Sequence, residues 1–152
     1  MLKAVFWTVI VLAALIVGLG FAAARKSAGM VAETVTDGIV PPCSSSSQNC
    51  VTSEVDSQHS AYIKPIEAQL TIKQLEAHLK ALGGQITSTS ESLTQAEFRT
   101  RLFGFTDDMV VKLDQNEKLL RIRSSSRVGR SDFGANRERV EALRQLIRSQ
   151  TE

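Results

Sequence analysis

The chain is poor in the residues that carry most catalytic chemistry. Its 152 residues hold two histidines, two cysteines, one tryptophan and one tyrosine. It has no GxSxG elbow, no phosphate-binding loop of the GxxxxGK type and no HExxH pair. Those gaps remove the usual short signatures of serine hydrolases, nucleotide-dependent enzymes and zinc proteases. Serines are plentiful, yet none has a histidine partner visible in the sequence. An excess of one charge is missing too. Eighteen Lys and Arg face sixteen Asp and Glu, and aromatics make up only 5%, which speaks against a general nucleic-acid binder. Nor is the charge evenly spread. No Lys or Arg lies between Met30 and Tyr62, whereas residues 99–148 contain ten arginines.

Charge is wholly absent from AVFWTVIVLAALIVGLGFAAA, Ala4 to Ala24, a run of twenty-one residues. A helix of that length crosses a hydrocarbon core of about 30 Å. An uncharged stretch this long at a terminus reads as a membrane segment rather than a buried core helix. Two membrane readings compete. Ala22-Ala23-Ala24 satisfies the small-x-small rule for signal cleavage, but the run exceeds the usual h-region of about 7–15 residues. We read it as a retained transmembrane anchor, with a cleavable signal peptide as the alternative. No cysteine follows closely, which excludes a lipoprotein anchor. Lys3 on one side and Arg25-Lys26 on the other nearly cancel in the positive-inside rule.

The two cysteines, Cys43 and Cys50, sit in CSSSSQNC. In an oxidising compartment such a pair closes a short disulfide loop, worth about 2–3 kcal/mol by chain entropy. Two free thiols in the cytosol are the alternative. A metal site formed with His59 lacks a fourth ligand and standard spacing, so no metal and no cofactor are expected. The disulfide reading places the domain outside the cytoplasm, in a periplasmic or equivalent space.

Three regions follow: an anchor or signal peptide over 1–26, a linker with the cysteine loop over 27–58, and a folded domain over 59–152. The linker has Pro41-Pro42, a serine run and no sustained periodicity. YIKPI, Tyr62 to Ile66, reads as a short edge strand limited by Pro65. Thr71-Ile-Lys-Gln74 is a capping box opening a helix. Its stripe is Ile72, Leu75, Leu79 and Leu82, its stop is Gly83-Gly84, and His78 falls off the stripe, toward solvent.

The period then changes to two. Strands are expected at Gln85–Ser90, Gln95–Phe103, Met109–Leu113 and Lys118–Val128, with a turn at Asp114–Glu117. A last helix is capped by Asp132, with Val140, Leu143 and Ile147 inward and Glu138, Glu141, Arg144 and Arg148 outward. The fold class is α+β: an antiparallel sheet of four to five strands with two amphipathic helices on one face, behind the transmembrane helix.

Alternation sorts the arginines. Leu120, Ile122, Ser124, Ser126 and Val128 share one face of the last strand. Leu119, Arg121, Arg123, Ser125 and Arg127 share the other, joined by Arg99 and Arg101 from the earlier strand. Such crowding requires compensation, either by Glu97, Asp107, Asp108 and Asp132 or by an anionic ligand. The corner RVGRSDFGAN adds Gly129 and Gly134 for positive φ, and Asp132 and Asn136 to cap backbone N–H groups. It is either a rigid junction or a place where N–H donors meet an anion.

The runs AEFRTRLFGFTDD and RSSSRVGRSDFGANRERVEALR, with CSSSSQNCVTS, His59 and Pro65, resemble the bacterial and plastid family of domain of unknown function 1499. The likeness spans Cys43 to Arg144. It rests on Cys43, Asn49 and Cys50, on Glu97, Phe98, Arg101, Asp107 and Asp108, and on the Arg123–Arg137 run with its glycines. Ser44 and Ser47 stand where that family favours proline, and Arg130 where an aromatic is common. The resemblance implies a membrane-associated envelope protein without an established reaction.

The expected function is a non-catalytic binding or scaffold domain anchored in the cell envelope. The candidate ligand-binding residues are Arg101, Arg123, Arg127, Asp132, Asn136 and Arg137, and the partners are the membrane and an anionic ligand or envelope protein, not nucleic acid. The alternative is a hydrolase or transferase on an anionic substrate, with Glu97, Asp108 or Asp132 as base.

Overall fold

The computed structural model describes residues 1–32, 35, 38–44 and 46–150. Parts of the expected linker (33–34, 36–37 and 45) lie outside these. The elements run α1 (Leu2–Gly29), β1 (Cys50–Thr52), β2 (Ile66–Glu67), α2 (Ile72–Ala81), β3 (Gln85–Thr89), β4 (Leu93–Arg99), β5 (Thr106–Asp114), β6 (Leu119–Ser126) and α3 (Ala135–Arg148). The architecture is the expected α+β one.

The sheet is antiparallel throughout, in the order β1-β6-β5-β4-β3, with β2 also on β6. Its six strands exceed the four to five expected, because β1 and β2 share one edge of β6. β1 faces Arg123–Ser125 and β2 faces Leu119–Leu120. Each is too short to show a period. β2 also starts later than the sequence suggested. Pro65 has no N–H to donate, so regular pairing begins at Ile66, and Tyr62 instead bridges to Thr52.

One face of the sheet meets the helices. Leu75 and Leu79 of α2 and Val140, Leu143 and Ile147 of α3 close over Ala96, Phe98, Met109, Val111, Leu120 and Ile122. The capping box on α2 is complete: Gln74 N–H donates to Thr71 Oγ1, and Thr71 N–H to Gln74 Oε1. His78 corrects the sequence reading. It is buried, because it lies three residues after Leu75 and so on the same helix face. Burial pushes its imidazole pKa below the usual value. Arg144 is buried as well, reaching back to the carbonyls of Lys64 (2.6 Å) and Pro65 (3.1 Å). The opposite sheet face is partly covered by the segment before Cys43, where Val40 packs on Leu93 and Val110.

α1 has a mean hydropathy of 2.5 over its most apolar window and is long and apolar enough to cross a membrane. Its last turns dock on the sheet. Ala24 and Ser27 are buried, and Ser27 Oγ accepts the Thr106 N–H at 3.0 Å. Phe21 meets Phe103 edge-on, with ring centroids 5.5 Å apart.

Candidate functional site

Glu97 and Asp108 are register partners across β4 and β5, so their two negative charges face each other on the sheet surface away from the helices. Opposed like charges are unfavourable, and Arg127, just beyond β6, resolves the conflict. Its Nε and Nη2 donate to Asp108 Oδ2 (2.8 Å) and Oδ1 (2.7 Å), and Nη2 also reaches Glu97 Oε1. Its Nη1 donates to the carbonyl oxygens of Met30 (2.6 Å) and Ser27 (3.4 Å). These belong to the carbonyl-bearing end of α1, where a cation complements both the orphan acceptors and the helix dipole. The side chain is only 5% exposed. Hydrogen bonding to Asp108, with Glu97 adding to it, outweighs burial and raises its already high pKa, so the guanidinium is always charged.

Two further arginines are engaged as well. Arg121 is met by Glu54, Asp114 and Glu117. Burial opposes its charge, but Glu54 and Glu117 prevail and its pKa is raised. On the helix side, Arg139 of α3 donates to Asp107 Oδ2 and Asn136 Oδ1, both at 2.8 Å, and stacks 4.7 Å from the Phe98 ring centroid. The second oxygen of Asp107 is buried without a hydrogen-bond partner.

The corner before α3 is built by side-chain bonds. Asn136 is fully buried. Its Nδ2 donates to Asn49 O and Ser126 Oγ, each at 3.0 Å, and its Oδ1 accepts from Ser124 Oγ at 2.6 Å. Asp132 accepts the N–H groups of Gly134 (3.0 Å) and Asn136 (2.8 Å). Asn49 Nδ2 donates to Gly129 O at 2.8 Å, tying the cysteine loop to the same corner. Gly129 and Gly134 have the expected positive φ, 93° and 91°. Cys43 and Cys50 form a disulfide, with Cα atoms 5.9 Å apart. His59, the third member of the alternative metal set, uses Nδ1 to accept the Ala61 N–H at 3.1 Å. Among the described residues no group of His, Cys, Asp and Glu can hold a metal ion.

The six candidate residues are therefore distributed. Asp132 and Asn136 are joined at the corner. Arg137 lies one residue on and holds the 60–62 segment through the Tyr62 and Ser60 carbonyls, both at 2.9 Å. Arg123 sits on β6 between Thr52 and Val110, and Arg127 is on the carboxylate pair. Arg101 is not on a strand face as expected. β4 ends at Arg99, and Thr100 closes a turn by accepting the Phe105 N–H at 2.9 Å, which leaves Arg101 exposed. Sequence reasoning missed Ser27, Arg139 and Arg144, whose partners lie 32–80 residues away.

Two clefts flank the corner. One, of about 330 Å³, lies between the cysteine loop and the start of α3 and includes Ser60, Asp132 and Arg137. The other, of about 470 Å³, lies between the Thr100–Phe105 turn and the Val128–Ala135 segment.

The sequence profile described as protein of unknown function (DUF1499) matches residues 39–147. The chain belongs to the DUF1499 family. The corner and the carboxylates held by Arg127 fall inside the DUF1499 match, while α1, with Ser27, lies before it. No curated protein and no solved structure matches the chain.

Proposed function

We propose that this DUF1499 protein is a membrane-anchored, non-catalytic binding domain of the cell envelope, facing an oxidising compartment and fixed at a set height above the bilayer. The observation that carries the reading is the Arg127 junction. One buried guanidinium links Glu97 and Asp108 of the sheet to the carbonyl end of the apolar helix. A signal peptide cut after Ala24 would separate Ser27 and Met30 from the helix whose end they form. The Cys43–Cys50 disulfide supports the oxidising side.

The same geometry favours binding over catalysis. Glu97 and Asp108 are held by Arg127, and Asp132 by two backbone amides, so each carboxylate considered as a base is engaged. Asp132 also takes the N–H groups an anion would need at the start of α3. The surface left for an anionic ligand or protein partner includes the Arg137 cleft and the exposed Arg101.

The full chain, extracted in mild detergent, tests both parts. Its intact mass should retain residues 1–24 and lack two hydrogens for the disulfide. In a thermal-shift panel of phosphates, sugar acids and lipid headgroups, a ligand at 100 times its Kd adds about 2.7 kcal/mol. That shift should vanish with Arg137→Ala or Arg101→Ala. A soluble chain beginning at Arg25, or a ligand turned over rather than held, contradicts the reading.

A further inference from the structure

The larger cleft is walled by Phe103, Phe105, Val128 and Phe133, and its position relative to α1 says what it faces. The Phe103 ring packs on Phe21 and lies close against Gly20, where an added Cβ would come within 2.7 Å of it. Phe21 precedes the first charge after the apolar run, Arg25, by four residues, about 6 Å along a helix. With α1 spanning the bilayer, which is the reading proposed above, the Thr100–Phe105 turn sits at the boundary between acyl chains and headgroups.

The exposed side chains there suit that depth. Leu102 is 77% and Phe133 96% exposed, and Phe133 holds a left-handed φ of 53°. A bulky residue in that region of backbone space is uncommon, and here it presents an aromatic ring outward beside an apolar cleft. Arg101 lines the cleft and Arg130 falls between its lining residues Gly129 and Ser131; both are exposed, as are Arg25 and Lys26 near the end of α1, a set of cations suited to anionic headgroups. Of the carboxylates on the cleft, Asp107 gives one oxygen to Arg139 while its other is buried without a partner, and Asp132 caps the corner. We propose that this cleft holds one acyl chain of an anionic phospholipid from the anchoring membrane, with Arg101 and Arg130 meeting its phosphate and Leu102 and Phe133 inserted beside it.

The test uses the full chain in nanodiscs of phosphatidylcholine and phosphatidylglycerol, each lipid in turn carrying a photoactivatable acyl chain, with adducts mapped by peptide mass spectrometry. Adducts are expected on α1 and on segments 100–105 and 128–135. Joint Leu102→Ser and Phe133→Ser substitution should lower labelling of those two segments at least fivefold, leaving α1 labelling and Tm unchanged. Joint Arg101→Glu and Arg130→Glu substitution should lower labelling by the phosphatidylglycerol probe alone. Labelled α1 with unlabelled segments, or segment labelling indifferent to the serine pair, overturns the cleft assignment. Equal cleft labelling by both lipids in the parent chain overturns the headgroup assignment. Absence of label on α1 overturns the anchor reading, and the cleft with it.

Discussion

At Arg127 a single side chain satisfies two opposed carboxylates and the end of a helix. Removing one partner from a buried ionic group strands the others, at about 3–5 kcal/mol. Arg127→Met should therefore lower the unfolding free energy of the full chain by that amount in denaturant titration. Replacing Glu97 and Asp108 as well, by Gln and Asn, should recover part of the loss. Half of this residue's role was legible. The period of two in β6 put it on the outer face, and Glu97 and Asp108 were visible as candidate partners. Its bonds to Ser27 and Met30, 100 and 97 positions back along the chain, follow no local rule. His78 shows the converse error, since a stripe drawn from aliphatic residues alone was too narrow to include it. Its depressed pKa means that the unfolded chain takes up the proton first. Stability from this residue is whole above the unfolded value, about pH 6.5, and declines as pH falls from there toward the folded value. The drop in Tm between about pH 7.5 and pH 5 should be smaller in His78→Gln.

The long elements declared themselves. α2 carried its capping box in sequence, α3 its stripe, and β6 its alternation. Thr71→Ala should cost about 1 kcal/mol by thermal unfolding, because the Gln74 amide loses its acceptor. β1 was hidden by length, since three residues define no period, while β2, two residues long, was anticipated only as an edge strand reaching Ile66. The break at Arg99 was hidden for another reason. Thr100 to Phe103 continues the alternating pattern, yet the chain turns there because the backbone of Thr100 pairs with Phe105. That turn moves Arg101 from the expected arginine face to the rim of the apolar cleft.

For the whole molecule, the specific motif residues prove to be joints between distant segments. Asn49, Ser124, Ser126 and Asn136 join the cysteine loop, the sheet and α3. Closing the short Cys43–Cys50 loop contributes about 2–3 kcal/mol. Reduction should lower Tm accordingly and loosen Asn49 first, seen as faster amide exchange at Ser126, whose N–H donates to Asn49 O. Arg127 locks the sheet domain to the end of α1. Hydrogen exchange on the full chain in nanodiscs tests this lock most directly, by reading the Thr106 and Met30 amides, which donate to Ser27. Slow exchange in the parent chain, accelerated at least tenfold by Arg127→Met while Val111 and Ile122 stay protected, is the predicted result. Rapid exchange at Thr106 and Met30 in the parent chain, unchanged by the substitution, would contradict it.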